Sequence, residues 1–73
     1  MTRLPALSGT EVIRTFERFG WEFVRQSGSH MTMVKDGEMA TLSIPKHRNI
    51  AKGTLRGLIR SANLTIDEFV RKI

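Results

Sequence analysis

Apolar residues recur along this chain at two different spacings, and the switches between them mark out its elements. Val12, Ile13, Phe16 and Phe19 fall three or four apart, with Glu11, Arg14, Glu17 and Arg18 between them, which is the pattern of a helix with one buried face. Ser8 followed three residues later by Glu11 forms a capping box, in which each side chain accepts an orphan backbone N–H at a helix start. Gly20 supplies a left-handed stop. A first helix is therefore predicted over 9–19, after a short arm at 1–7.

The spacing then changes. Trp21 to Gln26 is rich in β-formers, Ser27-Gly28-Ser29 reads as a turn, and His30 to Lys35 makes a second strand. Asp36-Gly37 predicts a tight hairpin, because both positions tolerate positive φ, and Glu38 to Ile44 makes the third strand. Pro45 ends that strand because it cannot donate to a ladder. Met31, Met33, Leu42 and Ile44 share an inward face, so His30 and Thr32 point outward with Thr41 and Ser43. In the first strand Trp21 and Phe23 disagree in parity with Val24, and its face stays unassigned. After a polar loop at 46–52, Thr54 to Ala62 returns to helical spacing through Leu55, Leu58, Ile59 and Ala62, with Asn63 as a left-handed cap. Thr65 and Glu68 repeat the capping box and open a short last helix carrying Ile66, Phe69, Val70 and Ile73. The fold class is α+β: αβββα plus a terminal helix, with a three-stranded antiparallel sheet covered by helices on one face.

Composition narrows the function. A chain of 73 residues is one domain, 1–73. At that size it buries only about 60% of its unfolded surface, leaving no second lobe to build a deep cleft. There is no cysteine, so disulfides, thiolate zinc sites and thiol nucleophiles are excluded, and a reducing cytoplasm suits the chain. No apolar run is long enough to span a membrane, and Met1-Thr2-Arg3-Leu4-Pro5 lacks a signal-peptide core. Twelve Lys and Arg against seven Asp and Glu leave a net charge of +5, a balance that suits a polyanionic partner.

The charge is uneven. From Met39 to Ile66 there is no acidic residue, while Lys46, Arg48, Lys52, Arg56 and Arg60 are basic. Lys52, Arg56 and Arg60 recur every fourth residue and share one helix face, a row able to neutralise successive phosphates or simply a solvated surface. His30 and His47 are the two histidines. Histidine is the usual acid–base group near neutral pH, although an exposed turn histidine also occurs with no such task. Neither a closed zinc ligand set, a nucleophile elbow, a glycine-rich phosphate loop nor a paired-carboxylate motif is present, so no metal or other cofactor is expected. What remains is a histidine beside a basic surface. RNA carries its own nucleophile, the 2′-hydroxyl, and its cleavage needs a base, an acid and cations near phosphorus.

Several stretches taken in order resemble the HicA toxins, small mRNA interferases of type II toxin–antitoxin pairs. They are Leu7-Ser8-Gly9-Thr10-Glu11-Val12-Ile13, Phe19-Gly20-Trp21, Val24-Arg25-Gln26-Ser27-Gly28-Ser29-His30, Ile44-Pro45-Lys46-His47, and Lys52-Gly53-Thr54-Leu55-Arg56-Gly57-Leu58-Ile59-Arg60. The resemblance implies a double-stranded-RNA-binding-domain-like fold and a metal-independent, ribosome-independent endoribonuclease acting on mRNA. The catalytic histidine falls on His30, Gly28 and Ser29 shape its turn, and His47 supports it. Arg25, Lys46, Lys52, Arg56 and Arg60 are the expected RNA-binding residues. A HicB-type antitoxin is the implied protein partner, with the toxin monomeric on its own. Two positions depart from the family pattern: Met33 stands where many members carry an aromatic or branched residue, and Arg48-Asn49-Ile50-Ala51 lacks a frequent Gly-Lys-Asp/Glu loop. Two other functions compete, a non-catalytic RNA-binding module and an interaction subunit whose basic face meets an acidic partner. Cleavage in EDTA separates the first from a ribonuclease, and RNA binding without a partner argues against the second.

Overall fold

The computed structural model describes residues 2–73. Its elements run α1 (Gly9–Glu17), β1 (Glu22–Ser27), β2 (His30–Val34), β3 (Leu42–Pro45), α2 (Lys52–Ser61) and α3 (Ile66–Arg71). This is the αβββα order with a terminal helix, and the strands form one antiparallel sheet in the order β1-β2-β3.

Both predicted capping boxes form. Glu11 N–H donates to Ser8 Oγ at 3.2 Å and Ser8 N–H to Glu11 Oε1 at 2.9 Å. Glu68 N–H donates to Thr65 Oγ1 at 3.1 Å and Thr65 N–H to Glu68 Oε1 at 2.8 Å. Gly20 and Asn63 take the left-handed conformation, at φ +93° and +60°. α1 stops at Glu17, two residues before its predicted end, because the chain turns through Arg18 and Phe19 into Gly20. α2 starts at Lys52, two residues early, from an extended Ala51 that offers no side-chain cap.

One face of the sheet is covered. Val12, Ile13 and Phe16 of α1, Leu55 and Ile59 of α2, and Phe69 of α3 bury Met31, Met33, Leu42 and Ile44, the inward set read from strand parity. Phe16 stands centrally, its ring 5.0 Å from that of Phe69 and 6.4 Å edge-on from that of Trp21. Among the described residues no helix lies on the other face, and the fold is thin, at 33 × 28 × 17 Å.

The strands correct the sequence reading in two places. β1 pairs Phe23 with Met33 and Arg25 with Thr32, so Val24 is an extra residue forming a β-bulge. That is the source of the parity conflict: Trp21 is buried, Phe23 shares the side of Met33 although it stays exposed, and after the bulge Arg25 and Ser27 lie on the open side with Thr32 and His30. Asp36-Gly37 does not close a two-residue hairpin. Glu38 N–H donates to Lys35 O at 3.1 Å, but pairing resumes only at Leu42, opposite Met33. Ala40 is a weak strand former and Ile44 a strong one, Met39 is fully exposed, and Glu38 Oε1 accepts a 2.9 Å hydrogen bond from Asn63 Nδ2 beyond α2. The register moves by an even number of residues, so the inward set is unchanged. Pro45 remains the last residue of β3, tolerated on an edge strand.

Candidate functional site

β1 and β2 are joined by the two-residue turn Gly28-Ser29. Gly28 has φ +59° with nothing within 4 Å of a Cβ position, so glycine serves backbone conformation there rather than space. Gln26 Nε2 donates to Gly28 O at 2.9 Å and braces the turn. His30 follows as the first residue of β2, exposed and on the open face, while Met31 beside it is buried. Its Nδ1 lies 3.4 Å from Ser43 Oγ, with donor and acceptor exchanging according to tautomer. Ser43 shares the outward parity of His30, which the sequence shows, but parity alone gives it no role.

The next strand end closes on the same turn. Pro45 pairs with His30, and Lys46 N–H donates to Ser29 O at 2.6 Å. The following loop is tied down twice more, Gly9 N–H donating to His47 O at 2.9 Å and Ile50 N–H to Leu7 O at 2.9 Å. Lys46, His47 and Arg48 are therefore exposed side chains on a fixed backbone. Gly9 is the residue whose importance the sequence concealed. A Cβ there would strike the Pro45 carbonyl oxygen and come within 2.9 Å of Met31 Cε and 3.1 Å of Lys46 Cα. The start of α1 thus packs directly on the strand end that flanks His30.

The expected site residues divide into two groups. Gly28, Ser29, His30, Lys46 and His47 meet around one end of the sheet, and Arg25, opposite Thr32, shares the open face of His30. Lys52, Arg56 and Arg60 are exposed on α2, in the helical layer behind the sheet. Along the helix that row spans about 12 Å. Among the described residues no three His, Cys, Asp or Glu side chains gather in a way that could hold a metal ion, and no helix is long and apolar enough to cross a membrane.

Residues 9–64 match the family model for the HicA toxin of bacterial toxin–antitoxin systems. The chain belongs to the HicA toxin family. One solved structure similar to this HicA chain is described as a toxin–antitoxin complex from Streptococcus pneumoniae. It superposes with a TM-score of 0.71 at 32% identity, over 80% of this chain and 98% of that one. The likeness agrees with the double-stranded-RNA-binding-domain-like layout of helices on one face of a three-stranded sheet. No curated protein matches the HicA chain.

Proposed function

We propose that this HicA toxin is a metal-independent, ribosome-independent endoribonuclease acting on mRNA, with His30 as its acid–base residue and a HicB-type antitoxin as its inhibitor. The observation that carries the reading is His30 itself: an exposed imidazole on the open sheet face, held at Nδ1 by Ser43 and set beside the strand end that carries Lys46. That contact leaves Nε2 for substrate.

The chemistry uses what RNA brings. The 2′-hydroxyl loses its proton, its oxygen bonds to the adjacent phosphorus, and the bond from phosphorus to the 5′-oxygen breaks. That oxygen takes up a proton, and the products are a 2′,3′-cyclic phosphate and a 5′-hydroxyl. His30 serves one of the two proton transfers, a contribution of about 10²–10⁴-fold. Lys46 and Arg25 offset charge developing on the phosphoryl oxygens, and His47, exposed next to Lys46, has a supporting place. The fold and the whole of residues 1–73 act as a single domain in this scheme.

The partner follows from the similar structure, which is a toxin–antitoxin complex. An antitoxin that covers the open sheet face blocks access to His30. The test is induced expression of wild type and His30→Ala in a bacterium, reading growth and total mRNA integrity together. Arrest with mRNA loss for wild type and neither for the variant is expected. Arrest by both leaves a non-catalytic RNA-binding module as the better account.

A further inference from the structure

A cleft of about 310 Å³ opens between the N-terminal arm and α2, lined by Thr2, Arg3, Leu4, Lys52, Arg56 and Ile66. We propose that this cleft is a second phosphate subsite, holding one nucleotide of the RNA strand away from the bond broken at His30. The proposal rests on the ribonuclease reading.

Three cationic side chains from two segments converge on one small volume. Lys52 and Arg56 are one turn apart on α2, and Arg3 faces them from the arm. α2 carries no acid in its first turn and the chain has none from Met39 to Ile66; the acids next in sequence are Asp67 and Glu68, in the first turn of α3 after the lining residue Ile66. A bound anion would be attracted by all three cations at once. Arginine matches phosphate oxygens with two parallel N–H donors.

The remaining lining narrows the ligand. Leu4 and Ile66 supply apolar surface beside the cations, and Thr2 a hydroxyl. A nucleotide has that composition, a charged phosphodiester joined to a sugar and base with apolar faces. The volume lies at the small end of ligand clefts and suits a single nucleotide rather than a folded segment. Exposed Lys46 and Arg48 lie in the loop that runs from the His30 end to α2, leading toward Lys52. A polymer with repeating negative charge can engage several cations at once, whereas one acidic side chain of a protein meets only one or two. Arg60, the third member of the row read from the sequence, does not line the cleft.

Binding is measured in the His30→Ala background, where RNA survives, by fluorescence anisotropy with a dinucleotide and with a longer single strand. Arg3→Ala should weaken binding of the longer strand several-fold and lower its salt slope by about one unit, with no effect on the dinucleotide. Lys52→Glu should weaken it further, because it reverses the charge of a lining residue. With His30 intact, Arg3→Ala should raise KM and leave kcat unchanged. Unchanged affinity and slope for the longer strand would overturn the subsite even if the protein cleaves RNA. Lost binding of an acidic polypeptide with RNA binding intact would also overturn it, assigning the cleft to a protein. Chemical-shift changes at Arg3 and Lys52 on titrating inorganic phosphate, in a protein that binds but never cleaves RNA, would keep the subsite and remove the ribonuclease reading.

Discussion

A methyl group added at Gly9 has nowhere to go: the Pro45 carbonyl and Lys46 Cα are backbone and cannot rotate aside. Gly9→Ala should therefore cost about 1–3 kcal/mol, and it should shift the amide resonances of Lys46 and His47 as the strand end moves from α1. Thermal unfolding and a two-dimensional amide spectrum check both, and an unshifted loop would show that α1 yields instead. Ser43 permits a finer test. Its hydroxyl touches His30 at 3.4 Å and nothing in the core, so Ser43→Ala should leave folding intact and lower kcat while sparing KM. A variant with unchanged kcat would reduce Ser43 to a bystander. At this scale the sequence was informative about His30, whose outward parity is visible in the alternation with Met31 and Met33. It was silent about Gly9, because a close approach between residues 9 and 45 is a tertiary fact.

Helix ends were the most legible elements. A capping box is a local agreement among four consecutive residues, and both formed as the residue types require. The box on α1 also has a pH signature. The Ser8 backbone N–H, and then its hydroxyl, hold the Glu11 carboxyl below the usual carboxylate value. A lowered folded value means that the contribution is complete at neutral pH and fades as pH falls through the folded value of Glu11. Glu11→Gln should therefore flatten the acid side of a urea-midpoint-against-pH curve without steepening any other part; an unaltered acid limb would refute the cap's electrostatic share. Ser8→Ala should lower stability by about 1 kcal/mol. Strand limits were less legible. The Asp36-Gly37 signal is also local, but Glu38 is drawn to Asn63 across the fold, and that tether competes with ladder pairing.

Over the whole molecule the charge divides unequally. Outside the stretch from Met39 to Ile66, Lys and Arg balance Asp and Glu, so the net +5 belongs to the loop after β3 and to α2. Replacing Lys46 and Arg48 with Gln should slow association with RNA and weaken its dependence on salt, while replacing Arg14 and Arg71 should change neither. Stopped-flow association at several ionic strengths measures this, and equal slowing by both pairs would mean that only total charge matters. Composition announced the basic balance, but only the fold shows that its carriers lie in two layers, one with His30 and one with α2. Between those layers the extra residue at Val24 acts as a phase slip. A strand of strict alternation, counted back from the turn, would turn Trp21 out into water whenever Arg25 stood beside His30. With one unpaired residue between them, the indole can follow the demands of the interior and the guanidinium those of the open face. Either half of the strand can then drift in sequence without dragging the other round.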